Sequence, residues 1–503
     1  IIVCIGLFQS KEKWGFASIL LGSLIIKLYI DNQRTKKHPL SPTLSFIDTL
    51  NKTDIEKHSK TSKLEEILTY KGIFQEALSN GGVTYFMYGA SPCLVFTSFN
   101  AFNQLIKRKH FTPSAPFIDI PIASTKKKEP AKAYKYLMAN LRKMMIHRES
   151  LNTKLNTMIK TTTKITNNHY YKKTGALINM IISHIVPMVC QVPDLFELNI
   201  DHLDTRDFLK LRHHSASVLK VLGSRSSNLS EKDLISRTFI INFFDDLIIR
   251  NFHHLKCRDA STNLIVLNFE NNGLSFPKTL IDYKQIKKEQ LNTLHKVYLD
   301  IAGQAGLGTF TRSVCDALAG TIYLIESKPS LKKLMTNELN NIDLQRLTID
   351  NLSKYLPITV QVIIEAQRFL TSDNFISGYI NETYHTSYIG QTITIPFKTR
   401  IILNMMDCVR DPSIVTHPNE FDISNSKIKE SFYHFLLTTP QGPWGIFDRR
   451  PCPARLINTL LNISVVAGLY HDSSIEMNTD LTLMNGNQIH QILNKTIKIS
   501  KKT

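Results

Sequence analysis

The chain has 503 residues, with 61 Lys and Arg against 42 Asp and Glu for a formal charge of +19, and is 43% hydrophobic and 20% charged. That balance excludes a disordered or low-complexity chain and leaves room for one large domain or two or three ordinary ones. Its cysteines stand singly, at 4, 93, 190, 257, 315, 408 and 452, with no C-x-x-C pair, which argues against a zinc ribbon or disulfide framework and for a reduced, cytosol-facing protein. The basic excess reads first as solvated surface, and then as a match for an acidic partner or an anionic membrane.

Near the start, Trp14 to Ile30 is an apolar run carrying only Lys27, followed by Arg34, Lys36 and Lys37. A spanning helix needs about 17 to 25 apolar residues, and basic residues beyond it mark the cytosolic flank. We therefore expect a single-pass N-terminal anchor with its basic flank over 1–38, and a globular domain over 39–503 behind a connector stiffened by Pro39 and Pro42.

Val83 to Ser98 is rich in aromatic and β-branched residues around Gly89-Ala90-Ser91-Pro92 and predicts a hairpin. A short amphipathic helix should follow from Phe99. Apolar residues then recur at three-to-four spacing from about Lys132 to His169 and from Ser227 to about Asn251, the helical period. The lysine-rich stretch from Thr125 to Tyr136 has only two interleaved tyrosines. It predicts an exposed loop and helix start, with no nucleic-acid surface.

The second half is more legible. Gln290 to Pro329 reads as one long apolar helix whose middle holds Gly303, Gly306 and Gly308. Each glycine costs about 1 kcal/mol relative to alanine inside a helix, so close approach by a ligand or another backbone is expected there. An exposed helix follows from Ser330, and then an apolar one over Leu356–Leu370. Beyond it the period changes to strand-like alternation around Gly390 and Pro396, as far as Met406.

Within the apolar helix, Glu365 and Arg368 are three apart, on one face, and preceded almost wholly by Val and Ile. A buried Arg–carboxylate pair is costly unless further hydrogen bonds complete it, so this pair should organise something. Downstream come "VRDPSIVTHPNEFD" (Val409 to Asp422) and "GPWGIFDRRPCPARLINTLL" (Gly442 to Leu461). In the latter, Cys452 stands between prolines and among arginines before an apolar run. Cationic neighbours and a helix start favour a thiolate.

In this order and at these separations, the glycine-bearing helix, the E-x-x-R helix, the "RDP…HPNEF" segment and the "RRPCPARL" loop resemble the cytochrome P-450 superfamily of heme-thiolate enzymes. "AGQAGLGT" and "FLTSDNFISG" look closest to the sterol 7α-hydroxylase and prostacyclin-synthase branch. The resemblance implies a mainly α fold with small β-sheets, heme b (iron protoporphyrin IX) as cofactor, Cys452 as the axial ligand of its iron, and Arg450 on a propionate. It also implies Glu365–Arg368 as the structural pair and Thr309 as a residue near the oxygen site. The activity implied is hydroxylation of a small apolar substrate such as a sterol or other lipid, on the cytosolic face of the endoplasmic reticulum membrane. Dioxygen and electrons from an NADPH-dependent flavoprotein reductase would support it.

Several positions depart from the family pattern. Asp448 and Ala454 stand where the heme loop has glycines, Gly445 where it has phenylalanine, and Asn425 roughly where an arginine is expected. Gly308, not an acid, precedes Thr309. These departures keep two other readings open, a heme-thiolate isomerase or dehydratase acting on a peroxide, and a heme-free binding protein of the same fold. His417 and the pairs His213-His214 and His253-His254 read as loop or surface histidines.

Overall fold

The structure, a computed structural model, describes residues 44, 46–50, 72–88, 91–114, 148–166, 170–171, 173–178, 180–181, 230–261, 263–304, 307–370, 375–412, 415–426, 455–479 and 489–501, with the isolated positions 22, 24, 207, 210 and 214. It divides into two compact units, Ile1–Thr112 with Ser377–Leu403, and Pro113–Ile376 with Asn404–Thr503. In chain order the strands are β1 (Phe46–Leu50), β2 (Val83–Tyr88), β3 (Ser91–Phe96), β4 (Phe111–Ser114), β5 (Tyr170–Tyr171), β6 (Phe375–Ile380), β7 (Tyr384–Tyr388), β8 (Gln391–Ile395), β9 (Arg400–Asn404), β10 (Ser473–Met477) and β11 (Ile497–Lys501).

The first unit carries a six-stranded sheet in the order β1-β2-β3-β9-β6-β4, and the hairpin β7-β8. The hairpin expected after Val83 is present as β2 and β3, but its turn is tighter than the sequence suggests. Tyr88 already faces Ser91 and Met87 faces Pro92, so Ser91 and Pro92 belong to the strand. Proline is tolerated there because β9 joins β3 only from Cys93 onward, and no ladder bond is lost. Helices α1 (Ile73–Ser79) and α2 (Phe99–Leu105) flank the sheet, α2 starting where Ser98 accepts from the Asn100 N–H at 3.2 Å. Strand alternation stops short of Met406. Asn404 turns its side chain onto the N–H groups of Met406 and Asp407 and opens a helical turn over Met405–Cys408.

The second unit is helical: α3 (Arg148–Thr166), α4 (Glu231–Arg250), α5 (Leu264–Asn271), α6 (Leu280–Glu289), α7 (Leu291–Gln304), α8 (Leu307–Glu326), α9 (Pro329–Asn340), α10 (Pro357–Phe369), α11 (Arg455–His471) and α12 (Ile489–Leu493). A small sheet, β10-β11-β5, completes it. One apolar core joins α3, α8, α9, α10 and α11, and a second joins α4 to α7. The long glycine-bearing segment is helical on both sides of 305–306, which lie outside the described residues. The helix expected from Ser330 is exposed on one face only, since Met335 and Leu339 are fully buried. Gly468 lets α11 approach α3, because a Cβ there would lie 2.8 Å from the Ile159 carbonyl oxygen and from Thr162 Cβ.

Of the expected membrane anchor only Gly22 and Leu24 are described, both helical; the rest lies outside the described residues. Among the described residues no helix is long and apolar enough to cross a membrane.

Candidate functional site

The site is built on α10. Pro357 occupies its first turn, where a missing N–H is harmless. The next orphan donors are satisfied from another helix. The Glu338 carboxylate on α9 accepts from the Ile358 and Thr359 N–H groups at 2.7 and 2.8 Å and from Thr359 Oγ1 at 2.7 Å. A carboxylate at a helix N-terminus also complements the positive end of the helix dipole. Glu338 went unread in the sequence, because an acid in a polar helix carries no local mark of a partner twenty residues on.

Two turns later, Glu365 and Arg368 are 0% and 3% exposed. The guanidinium binds the carboxylate bidentately, Nε to Oε2 at 2.8 Å and Nη2 to Oε1 at 2.6 Å. Its remaining N–H groups donate to the carbonyls of Glu420 (3.0 Å), Val409 (3.3 Å) and Pro418 (3.1 Å). All five guanidinium donors are therefore used. Glu365 Oε1 also accepts from the Asp422 N–H at 3.2 Å and from Asn425 Nδ2 at 3.0 Å. Burial of the two charges is affordable only because both are completed in this way.

The pair thus clamps the segment 409–425 to α10, and that segment also braces itself. Asn425 Nδ2 donates to the His417 carbonyl while Asn425 Oδ1 accepts from the His417 N–H, each at 3.0 Å. His417 Nδ1 lies 2.6 Å from Asp422 Oδ2. Hydrogen bonding from Ser424, first through its backbone N–H, and the neighbouring His417 hold the Asp422 carboxyl below its usual range. His417 is a loop histidine, as expected, but one tied into this network. Asn425 stands roughly where the resemblance leads one to expect an arginine, and its neutral amide reaches both the carboxylate and the loop.

Around Phe369 the charges continue. The Arg410 guanidinium lies 4.8 Å from the ring centroid and donates from Nη2 to the Phe369 carbonyl at 3.0 Å. Burial, and then the Arg368 cation, lower the Arg410 pKa. Asp407, at the helical turn capped by Asn404, is pushed up to about 6 by burial, against the pull of Arg410. Burial also raises the Cys408 thiol, with Asp407 and Asp411 adding to it, and burial raises Cys93 despite Arg400. Both are kept protonated and make poor metal ligands.

Of the residues singled out in the sequence, the structure brings Glu365 and Arg368 together. Thr309 lies in the first turn of α8, though its side chain is not among those described. Cys452 and Arg450, with Asp448, fall in 427–454, outside the described residues. Among the described residues no group of three or more His, Cys, Asp or Glu could hold a metal ion.

No protein-family model matches this sequence, and no curated protein matches it. A search of solved structures finds the crystal structure of a cytochrome P-450 (CYP102L1), at 12% identity and a TM-score of 0.59, covering 86% of this chain and 98% of that one. The chain has the cytochrome P-450 fold, mainly helical with small sheets. At this identity the likeness establishes architecture, and chemistry has to be argued from the residues.

Proposed function

We propose that the chain is a heme-thiolate monooxygenase hydroxylating an apolar substrate such as a sterol or another lipid. The observation that carries this reading is the dry, fully hydrogen-bonded Glu365–Arg368 pair, which secures the segment leading into the Cys452 loop. Heme b is the cofactor, Cys452 its axial thiolate and Arg450 a partner for a propionate, as the sequence resemblance implies. The residues present fit such a group. Cys452 precedes Arg455, the first residue of α11, by three positions, and a helix N-terminus favours a thiolate. On the first two turns of α11, Thr459 Oγ1 and Asn462 Oδ1 are buried without a hydrogen-bond partner, which is expected where a bound group or its waters belong.

When bound, thiolate-ligated heme supplies dioxygen activation. The chain's own part is to hold it and exclude water. Glu338, Glu365, Arg368 and Asn425 position the segment before the cysteine loop, and Thr309, in the first turn of α8, would stand near the oxygen site, as the resemblance implies. The run from Trp14 to Ile30 anchors the protein in the endoplasmic reticulum membrane, with its basic flank in the cytosol. A flavoprotein reductase of the NADPH-cytochrome P-450 type delivers electrons, and the net basic charge suits an acidic partner surface. Gly308, standing where an acid would precede Thr309, favours a second reading, a heme-thiolate isomerase or dehydratase of a peroxide that needs no reductase.

The deciding experiment is the absorption spectrum of the reduced, carbon-monoxide-bound, detergent-solubilised chain. A Soret band near about 450 nm, where a strongly donating axial sulfur places it, is expected and should vanish in Cys452→Ser but persist in Cys315→Ser. Equal behaviour of the two variants overturns the ligand assignment. Absence of heme from a folded chain makes the heme-free binding protein correct. Turnover with peroxide and not with reductase selects the isomerase reading.

A further inference from the structure

Two helices end on the same dipeptide. Asn80-Gly81 closes α1 and Asn272-Gly273 closes α5, with each glycine in the left-handed region, at φ 72° and 78°. A third such pair, Asn485-Gly486, lies outside the described residues. In an Asn-Gly pair the glycine nitrogen, with no Cβ beside it, can swing onto the asparagine Cγ. The outer cap bond is made in both turns, from the Gly82 N–H to the Ala77 carbonyl at 2.8 Å and from the Leu274 N–H to the Phe269 carbonyl at 2.9 Å.

The inner cap bond separates them. Gly273 donates its N–H to the Glu270 carbonyl at 2.9 Å, whereas the Gly81 N–H donates to no backbone carbonyl among the described residues. The asparagine side chains are held unequally as well. Asn272 Nδ2 donates to the Asn268 carbonyl at 2.9 Å and, across to α7, to Asp300 Oδ2 at 3.1 Å. Among the described residues Asn80 Nδ2 donates only within its own last turn, to the Glu76 carbonyl at 2.8 Å and to Glu76 Oε1 at 2.7 Å. A seven-residue helix frays at its end, and opening that one turn frees the amide beside a glycine nitrogen already without a backbone partner.

We propose that Asn80 is a site of spontaneous deamidation, converted faster than Asn272. The Gly81 nitrogen attacks Asn80 Cγ, its proton passes through water to Nδ2, the Cγ–Nδ2 bond breaks and ammonia leaves. Water then opens the five-membered imide at either carbonyl, which leaves aspartate or isoaspartate at position 80. Neither product carries a donor for Glu76, so two carboxylates meet where an amide bridged them, near the negative end of the α1 dipole. Isoaspartate also lengthens the backbone just before Gly82, which is packed so closely that a Cβ there would collide with Ser98. The end of α1 therefore ages before the end of α5. The site is independent of heme and of the proposed hydroxylation.

The test is incubation of the purified full chain at mildly alkaline pH, sampled over time by peptide mapping with mass spectrometry and isoaspartate detection. Asn80 should be converted at least tenfold faster than Asn272, and more slowly at mildly acidic pH, where fewer backbone amides lose their proton. In guanidinium chloride the two rates should converge, since both dipeptides are then equally free. Asn80→Asp should lower the urea midpoint of the unaged chain, while Asn80→Gln, whose longer side chain closes a ring slowly, should remove conversion at this position. Equal rates at Asn80 and Asn272 in the folded chain overturn the proposal. A difference that survives in guanidinium chloride belongs to the neighbouring sequence and overturns the role given to the two caps. An unchanged midpoint in Asn80→Asp overturns the part assigned to Glu76.

Discussion

Two polar networks in the helical unit solve the same problem in different ways. At Glu365–Arg368 water is excluded and every guanidinium donor has a protein acceptor. At Asp245, on α4, the carboxylate accepts from Tyr283 (2.9 Å), Tyr298 (2.8 Å) and Lys287 (2.5 Å), but the lysine side chain is 46% exposed. Burial raises the Asp245 pKa, yet those hydrogen bonds outweigh it and keep the group below the usual carboxylate range. Both tyrosines are raised, chiefly by burial. The first network ties a loop to a helix and the second ties helices α4, α6 and α7 to one another. A dry network has no substitute for a lost partner, whereas water can replace one in a network with an exposed edge.

The comparison is broken most directly at Arg368. Arg368→Ala leaves the Glu365 charge buried and unpaired, and should destabilise the unit by about 3–5 kcal/mol, read as a lower urea midpoint. A loss below about 1 kcal/mol, the ordinary worth of an exposed pair, would show that water reaches Glu365.

Asp407 offers the next largest effect. Its folded pKa of about 6 lies above the unfolded carboxylate value near 3.9, so the folded state binds the proton more tightly. The associated stability is fully present below about pH 4 and is lost as pH rises through about 6, by up to roughly 3 kcal/mol on a linkage argument. Asn404 Nδ2 donates to Asp407 Oδ2 at 2.5 Å, and Asp407→Asn keeps an acceptor there and should flatten this part of the stability profile. An unchanged slope between about pH 4 and 7 would mean that Asp407 is better solvated than its burial indicates.

Asn425→Ala removes one donor from Glu365 and both bonds to the His417 backbone. A loss of about 1–3 kcal/mol is expected, with faster proteolysis in 409–426 as a local readout. The smallest effect belongs to the wet network. Lys287→Met should cost no more than about 1 kcal/mol, because the lysine end of the pair is 46% exposed and Asp245 keeps its two tyrosine donors. A cost matching that of Arg368→Ala would erase the distinction between the two networks.

How much of this was legible beforehand follows the range of each interaction. The hairpin at Val83, the helices at 231–250 and 357–369, and the Glu365–Arg368 pair rest on periods and spacings within a few residues, where backbone geometry alone places side chains on one face. The same local signals misplaced the turn at Ser91-Pro92 and ran the last strand past Asn404, because where a strand starts or stops depends on which neighbour pairs with it and which side chain caps the next turn. Asn425 stood out only as a missing arginine; that its amide reaches Glu365, 60 residues back, needed the tertiary structure.

The sequence by itself determined the helical character, the buried ion pair and the resemblance to a heme-thiolate fold, since each is written in local pattern and residue order. The tertiary structure alone decided which carbonyls complete Arg368, which carboxylate caps α10 and which of two Asn-Gly turns is held across to another helix. Those outcomes depend on contacts between residues far apart in the chain, and no local propensity encodes which distant groups folding will bring together.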